Sequence, residues 1–576
     1  MKGWQRIVLM IGIITVVAVT FYYLLFSSMF SGTPPISRNS YLELELFGDI
    51  SEKPVEDPFS KILRGEKPSL IGIMNCLKKA KVDPKIKGVV LKPMGFAAGW
   101  AQVQEIRQAL EDFKTSGKPV YAYLEANSTK EYYLVSKADT IFGSPQGTLF
   151  ITGLNAGAFF LKDGLKKIGV EADFIAHGKY KNAPDMFTRE NMSDAQREVL
   201  NALLDDIYYT MTYAIAQDRH LTPEQVKKLI DTGVYSLEEG VRAGLVDTLM
   251  YYNEFKEFLK QRDKRRPRLV SYGRYLKIPY EKLGMKAEKK LGLIFASGNI
   301  VSGFGEDSFQ DGVITSEGMA NAIRKAADDK SVKAIVIRVN SPGGSGTASD
   351  IIWREVVEAR KKKPVVVSMG DVAASGGYYI SMAADSILAM PTSIIGSIGV
   401  FAGKFSIKNL YEKLGINKEE IQRGKNADLF SEIKKFNKEQ RKLMWNFGEN
   451  FYRVFVSKVA QSRNKSYEEI HRIAQGRVWS GKRGIEIGLV DKWGGLQDAI
   501  VVAKKLAGIS LDEPVYLKIF PREKTLLEKI AGGPGMNASQ FLLEELPQPL
   551  RNYLLGFRYY QENEILTILP FIPVIN

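Results

Sequence analysis

Cysteine and histidine are scarce in this 576-residue chain. The single cysteine, Cys76, excludes an internal disulfide framework and any zinc site built from several cysteines. The three histidines, His177, His220 and His471, are too few for a histidine-rich metal centre. We therefore expect no metal cofactor.

Acidic residues are fewer than basic ones: 65 Asp+Glu stand against 80 Lys+Arg, for a net charge of +15. Such an excess of basic residues is compatible with binding to nucleic acid, with binding to a membrane surface, or with a solvent-exposed face that has no specific partner. The densest basic run, residues 260–268, lacks interleaved aromatics, so we interpret it as a linker near an anionic membrane surface and expect no nucleic-acid partner. With 45% hydrophobic and 25% charged residues, the remainder is typical of a globular protein of several domains.

One long run, from Ile7 to Phe26, contains no charged residue and is almost wholly apolar. It is long enough to cross a hydrocarbon core of ~30 Å as a helix. Two basic residues precede it and no charge follows until Arg38, which predicts a cytoplasmic N-terminus with the rest of the chain outside. A cleaved signal peptide is the alternative, but the run exceeds the usual apolar core of about 7–15 residues and no clear cleavage site follows.

The rest of the chain repeats itself, in order, at a spacing of about 245 residues. Segments that begin at Ile86, Tyr132 and Tyr235 recur at Val332, Tyr378 and Trp479. The sequence therefore predicts two related domains. The predicted boundaries are 1–40 for the cytoplasmic stub, transmembrane anchor and stem, 41–259 and 291–530 for the domains, 260–290 for the basic linker and 531–576 for the tail.

Each copy alternates short β-branched runs with amphipathic helical patterns of roughly 12–18 residues, which predicts βαβ units around a largely parallel α/β sheet. In such sheets, functional residues gather in the turns that follow the carboxyl ends of the strands.

The second copy concentrates glycine at two such turns, Asn340-Ser-Pro-Gly-Gly-Ser345 and Ala373-Ala-Ser-Gly-Gly377. The first copy lacks both glycine pairs and has Thr129 opposite Ser375. Small residues let a substrate approach, and a turn into a helix directs N–H groups to one point, as an oxyanion hole requires. The candidate donors are the backbone N–H groups of Gly343 and Gly376.

Two other interpretations of these turns remain open. The second turn could be merely structural, with a capping serine. A phosphate-binding loop is disfavoured because no Gly-Lys-Ser/Thr follows Gly343 and Gly344, so we expect no nucleotide cofactor.

A nucleophilic serine needs a base. No histidine is well placed by sequence, and no Gly-x-Ser-x-Gly elbow occurs, because Ala373 stands two residues before Ser375. The remaining candidate is a lysine whose pKa is lowered by burial. The chain has many lysines, and chemistry alone does not choose among them.

Four separated motifs carry a family resemblance. They are Asn340-Ser-Pro-Gly-Gly-Ser345, Met369-Gly-Asp-Val-Ala-Ala-Ser-Gly-Gly-Tyr378, Gly396-Ser-Ile-Gly-Val400 and Gly178-Lys-Tyr-Lys181-Asn-Ala183. By these motifs the chain resembles the long, tandem-domain signal peptide peptidase A family, also called protease IV, of the Clp protease and crotonase superfamily. The resemblance implies two tandem Clp protease/crotonase-like domains of ββα repeats behind one N-terminal transmembrane helix.

The resemblance implies roles for three residues: Ser375 as nucleophile, Lys181 as general base and Ser397 as the hydroxyl that orients the lysine. Lys425, in Gly424-Lys-Asn-Ala, is the alternative base, because single-domain relatives carry serine and lysine in one domain. We favour Lys181, whose downstream segment matches the tandem form far better. Lys179 is a weaker neighbour.

The activity implied is that of a membrane-bound serine endopeptidase that degrades cleaved signal peptides and other hydrophobic peptides. The resemblance further implies a homo-oligomer, with a tetramer expected, and a bacterial inner membrane with the catalytic domains in the periplasm. A thylakoid or another cell surface would use the same topology. A crotonase-type acyl-CoA enzyme would need a carboxylate base, and an inactive membrane scaffold would leave the glycines around Ser375 unexplained.

Overall fold

The computed structural model describes residues 4, 35–53, 67–264, 267–303, 312–521 and 566–568. The predicted membrane span, residues 7–26, lies outside these ranges, as does most of the predicted tail. Among the helices of the described ranges, none is both long enough and apolar enough to cross a membrane.

The first half of the chain builds a seven-stranded sheet in the order β6-β4-β3-β2-β1-β8, with β7 beside β4. Strands β1 to β4 are parallel neighbours, and only β6 pairs antiparallel. Runs such as Val89-Val-Leu91 are buried, as is usual for a parallel sheet covered on both faces. The strands are β1 (Ser40–Asp49), β2 (Ile86–Ala97), β3 (Val120–Asn127), β4 (Thr140–Ile151), β6 (Gly233–Ser236), β7 (Thr248–Leu249) and β8 (Arg268–Ser271), whereas β5 (Glu171–His177) joins the other sheet.

The helices of the first half connect these strands. They are α1 (Leu70–Val82), α2 (Trp100–Lys114), α3 (Thr129–Val135), α4 (Lys162–Ile168), α5 (Asp185–Thr188), α6 (Asp194–Arg219), α7 (Pro223–Thr232), α8 (Leu237–Arg242), α9 (Tyr252–Asp263) and α10 (Tyr272–Leu276), followed by a 3₁₀ helix at Tyr280–Leu283.

The second half forms most of a twelve-stranded sheet, whose main path is β16-β14-β12-β11-β19-β15-β5. Its strands are β9 (Lys289–Val301), β10 (Val313–Thr315), β11 (Val332–Ser345), β12 (Val365–Ala374), β13 (Ser386–Ala389), β14 (Ile394–Gly396), β15 (Val400–Ser406), β16 (Val478–Ser480), β17 (Lys492–Trp493), β18 (Val515–Phe520) and β19 (Leu566–Ile568). Its helices are α11 (Ser316–Asp328), α12 (Gly346–Arg360), α13 (Gly376–Ser381), α14 (Lys408–Lys413), α15 (Lys438–Arg463), α16 (Tyr467–Ile473), α17 (Gly481–Glu486) and α18 (Leu496–Leu506).

Matching helices show that the two halves repeat one design. Helices α1 and α11 have 13 residues each, α2 and α12 have 15, and α6 and α15 have 26. Both 26-residue helices begin after a capping side chain, Ser193 or Asn437, and end at a left-handed residue, His220 or Asn464. The repeat that the sequence predicts is therefore present in the structure.

The basic stretch interpreted as a linker is partly ordered into the first half. Lys260 to Asp263 end helix α9, and Arg268–Ser271 form β8, because their backbone pairs in parallel with Ser40–Glu43 of β1. The domain boundaries themselves stay predictions.

Several features join the halves, among them a strand pairing and a shared hydrophobic cluster. Strand β5 of the first half pairs antiparallel with β15, from Glu171 opposite Ser406 to His177 opposite Val400. The buried residues Leu496, Ala499 and Ala503 of helix α18 belong to a hydrophobic cluster that contains residues of both halves. Side chains from one half can therefore enter a site on the other.

Candidate active site

Ser375 lies at a sharp turn between the end of β12 and the start of α13. Its backbone has φ 55° and ψ −113°, a conformation that residues other than glycine rarely adopt. The Ser375 N–H donates to the Gly396 carbonyl at 2.7 Å, which helps to hold the turn, and the side chain is completely buried. Strained backbone of this kind clusters at active sites, where the surrounding structure maintains it.

Lys181 follows β5 and is held against the second half by backbone contacts. The Tyr180 N–H donates to the Gln475 carbonyl at 2.8 Å. A Cβ on Gly178 would lie 2.3 Å from the Gln475 backbone, and one on Gly476 would lie 2.5 Å from Lys181 Cβ, so neither glycine can carry a side chain without movement. Sequence reasoning did not single out Gly476, because no local pattern marks a residue that packs against so distant a segment.

The Lys181 amine and the Ser375 hydroxyl are in direct contact. Lys181 Nζ lies 2.8 Å from Ser375 Oγ, across 194 positions of the chain. Lys181 is only 3% exposed, and burial lowers the pKa of its amine well below the ordinary value of 10.5. A neutral amine can accept a proton from a hydroxyl, so this arrangement is able to activate Ser375 as a nucleophile.

Ser397 supplies two further contacts to the same amine. Lys181 Nζ donates to Ser397 Oγ at 3.0 Å and to the Ser397 carbonyl at 3.3 Å. Two such bonds use both N–H groups of a neutral amine and leave its lone pair directed to Ser375. Ser397 has φ 53°, and its N–H donates to the Arg477 carbonyl at 2.7 Å.

The two glycine turns of the second half meet beside Ser375. A Cβ on Gly377 would lie 2.5 Å from the Ser341 carbonyl oxygen, so the turns approach too closely for a side chain there. Gly376 is the first residue of α13, and its N–H has no acceptor within the helix. Gly343 has φ 102°, and its N–H donates to Ser341 Oγ at 3.2 Å, a bond that would be given up if this N–H served an oxyanion.

In the first half, a carboxylate side chain fills the corresponding turn. With a repeat offset of about 246 residues, Glu131 stands where the second half has Gly377. Its carboxylate accepts from the Gly95 N–H at 2.8 Å and from the Ser128 N–H at 2.7 Å. Thr129 Oγ1 accepts from the Thr152 N–H at 3.0 Å. Within the described residues, only the second half therefore has a serine turn that no carboxylate side chain fills.

The other candidate bases lie away from Ser375. Lys425 is exposed and forms an ion pair with Glu439 at 2.6 Å. Lys179 is exposed and donates to the Tyr180 hydroxyl at 3.1 Å. Of the three lysines that the motifs indicated, only Lys181 contacts Ser375.

The histidines have other partners. His177 Nδ1 lies 3.2 Å from the Glu449 carboxylate, and His471 Nδ1 lies 2.9 Å from the Tyr452 hydroxyl. His220 ends helix α6. These contacts agree with the absence of a sequence signal for a histidine base.

A short strand near the end of the chain lies along the glycine turn. Strand β19 pairs antiparallel with Gly343–Ser345, and its first residue, Leu566, also pairs with Phe401 of β15. The Leu566 side chain is buried in a cluster with Ala183 and Phe401. The gap between β11 and β15 can therefore accept an extended peptide with an apolar side chain, two residues from Lys181.

Comparison with known protein families shows to which family the chain belongs. The model of peptidase family S49 matches residues 112–265 and 358–510, one match in each half. The chain belongs to peptidase family S49. It is accordingly a serine peptidase, and its α/β fold contains two S49 regions.

Known proteases are similar over most of the chain. "Serine protease SPPA, chloroplastic" of Arabidopsis thaliana is 37% identical over 87% of this chain and 74% of its own length. "Protease 4" of Salmonella typhi is 34% identical over 89% of this chain and 82% of its own length. Among solved structures, a ClpP1 mutant from Listeria monocytogenes matches 36% of this chain and 94% of its own, at 16% identity and a TM-score of 0.24.

Proposed function

We propose that Ser375 and Lys181 form the catalytic dyad of a membrane-bound serine endopeptidase. The observation that carries this proposal is the 2.8 Å contact between the buried Lys181 amine and the Ser375 hydroxyl. Burial lowers the pKa of this lysine, which favours the neutral form that a general base requires.

In the first step, Ser375 Oγ attacks the scissile carbonyl carbon while Lys181 Nζ takes the hydroxyl proton. The N–H groups of Gly343 and Gly376 donate to the resulting oxyanion. When the C–N bond breaks, Lys181 returns the proton to the leaving amine, and an acyl ester on Ser375 remains. In the second step, Lys181 takes a proton from water, the hydroxide attacks the ester, and the proton returns to Ser375 Oγ.

Ser397 acts on the base in this mechanism. Its hydroxyl and carbonyl accept from Lys181 Nζ, and they fix the amine so that its lone pair points to Ser375. An acyl-CoA enzyme of the crotonase type would instead need a carboxylate base, and the group in contact with Ser375 Oγ is an amine.

The substrates proposed are cleaved signal peptides and other hydrophobic peptides. Support comes from the apolar contacts of Leu566 with Ala183 and Phe401 beside the dyad, which suit an aliphatic side chain. The relatives named "Protease 4" and "Serine protease SPPA" are proteases, which agrees with peptide substrates.

The location proposed is a lipid bilayer, with the N-terminus in the cytoplasm and the catalytic halves outside, as in a bacterial inner membrane. The apolar run of residues 7–26 supports this anchor. A homo-oligomer, expected to be a tetramer, would cover large exposed side chains on the two longest helices of the described ranges. These are Tyr209 and Tyr213 on α6 and Trp445 and Phe447 on α15.

An acylating probe for activated serines tests the dyad. We expect the probe to label Ser375 in the full chain, and expect Lys181→Ala to reduce labelling and peptide hydrolysis by at least about 100-fold, in keeping with loss of general-base catalysis. Lys425→Ala is the matched control and should retain both. Labelling that survives in Lys181→Ala, or that disappears in Lys425→Ala, would reverse the choice of base.

A further inference from the structure

Helix α2 of the first half has no capping side chain of its own. Its N-cap residue is Gly99, whereas the equivalent helix of the second half, α12, is capped by Ser345, whose Oγ accepts from the Ala348 N–H at 3.2 Å. The first N–H groups of a helix need acceptors from outside its own backbone pattern. The first half must therefore satisfy these groups in another way.

The missing cap comes from the other half of the molecule. Asp371 Oδ1 accepts from the Ala101 N–H at 2.9 Å and from the Gln102 N–H at 3.1 Å. The carboxylate occupies the space that a side chain at position 99 would need, since a Cβ on Gly99 would lie 1.9–2.2 Å from its atoms. Gly99 and Asp371 thus form a complementary pair across the interface between the halves.

Asp371 lies on the strand that carries the nucleophile. It belongs to β12, four residues before Ser375, a distance of roughly 13 Å along extended backbone. The next residue, Val372, donates its N–H to Asn340 Oδ1 at 3.1 Å, and Asn340 Nδ2 donates to Glu52 of the first half at 3.0 Å. The strands that lead to both glycine turns are therefore tied to the first half.

The base comes from the first half and the nucleophile from the second. We propose that Asp371 is a positioning residue: by capping α2 it fixes the end of β12, and hence Ser375, relative to the half that supplies Lys181. The inference rests on the proposed dyad. Because this cap spans the two halves, Asp371 affects the position of Ser375 relative to Lys181. A cap within one half would not affect it.

A double variant separates positioning from capping. Asp371→Ala removes both the cap and the contact that Asp371 makes with the first half. Asp371→Ala combined with Gly99→Ser gives α2 a serine cap like that of α12 but does not restore that contact. The serine fits because the three atoms nearest to its Cβ belong to the carboxylate that is removed. Asp371→Asn keeps the accepting Oδ1, and Glu125→Ala changes the exposed residue that stands opposite Asp371 in the repeat.

The readouts are kcat and KM for a short fluorogenic peptide, together with Tm, on the full chain. We expect Asp371→Ala to lower kcat at least tenfold with KM little changed, and to lower Tm. The double variant should regain Tm but not kcat. Asp371→Asn should stay within about threefold of the unsubstituted kcat, and Glu125→Ala should match it.

Two outcomes overturn the inference: a double variant that regains kcat together with Tm, which would make Asp371 only a cap, or an Asp371→Ala variant with unchanged kcat. If Asp371→Ala does not fold, the double variant and Asp371→Asn still give the comparison. Ser375→Ala, assayed in parallel, tests the dyad separately. Activity in that variant would overturn the proposed function and this inference together, whereas an inactive Ser375→Ala beside a normal Asp371→Ala would overturn this inference alone.

Discussion

The hydroxyl of Ser397 lies 3.0 Å from the Lys181 amine, on a backbone held at φ 53°. An oxygen acceptor at this distance orients the amine, and it stabilises the protonated form more than the neutral form. Ser397→Ala should therefore lower kcat about tenfold or more and shift the alkaline rise of the rate to lower pH. Ser349→Ala, which removes a buried hydroxyl bonded to the Ser345 carbonyl, is the control and should leave the pH profile unchanged.

The pH dependence of the unsubstituted enzyme follows from the same lysine. A general base acts only when it is unprotonated, and burial lowers the pKa of the Lys181 amine well below its ordinary value of 10.5. We expect kcat/KM for a neutral peptide to rise with pH as the lysine loses its proton, and then to level off. A rate that falls between about pH 6 and 9 would contradict Lys181 as the base.

The fold could be predicted from the sequence to a considerable extent. The repeat at Ile86 and Val332, and the alternation of β-branched runs with helical patterns, predicted two related α/β units, because each copy carries its own local alternation and the two copies can be compared directly. The position of Ser375 in a turn after a strand followed from the same reasoning.

The pairing of Ser375 with Lys181 could not be derived from local patterns. It depends on β5 leaving its own half to pair with β15, and the sequence of Glu171–His177 does not state which sheet it will join. Lys181 was indicated only by resemblance to a family. Asp371 and Gly99 were not singled out, because a helix capped by a residue about 270 positions away leaves no pattern at either site.

The burial of Lys181 should also change how the Tm of the protein depends on pH. Its pKa is lower in the folded than in the unfolded chain, so below the unfolded value of 10.5 folding must release a proton or bury a charge. This cost is greatest below the folded pKa and vanishes as the pH approaches 10.5. Replacing Lys181 by Met removes the cost, so the Tm of Lys181→Met minus that of the unsubstituted chain should decrease between pH 7 and pH 9.5.

Taking this difference cancels the titration of all other groups, and it also cancels the pH-independent loss of the hydrogen bonds to Ser375 and Ser397. A difference in Tm that stays constant across this pH range would mean that Lys181 keeps its ordinary pKa in the folded protein.

Arg338 is a second buried charge that joins the halves. It is completely buried, and it contacts Glu52 at 2.9 Å and Glu105 at 2.6 Å, both from the first half. Arg338→Met leaves two buried carboxylates without their partner, and removing one side of a buried ion pair costs about 3–5 kcal/mol. Urea unfolding should show this loss, and Glu52→Gln with Glu105→Gln in the same chain should recover part of it.

The matched control is Arg324→Met, which removes an arginine on an exposed surface paired with Glu355 at 2.6 Å. Exposed pairs contribute about 0–1 kcal/mol, so this variant should unfold almost as the unsubstituted chain does. Equal losses in the two variants would mean that Arg338 is hydrated rather than buried between the halves.

Strand β19 fills the gap between β11 and β15 beside the dyad. Leu566 pairs with Ser345 and is buried against Ala183 and Phe401. Peptides that bind as an added strand use this kind of edge, so the chain's own strand and a substrate should compete for it. Leu566→Asp places a charge in the apolar cluster and should lower KM for short peptides severalfold with little change in kcat.

Leu511→Asp, at an exposed leucine, is the control and should leave KM unchanged. A synthetic peptide with the sequence of residues 563–571 should inhibit Leu566→Asp competitively, because it restores the displaced strand, and should inhibit the unsubstituted chain less strongly, because the edge is already occupied. If Leu566→Asp keeps the original KM and the peptide does not inhibit it, substrates must reach Ser375 without the edge of Gly343–Ser345, and the groove between β11 and β15 would not be their binding site.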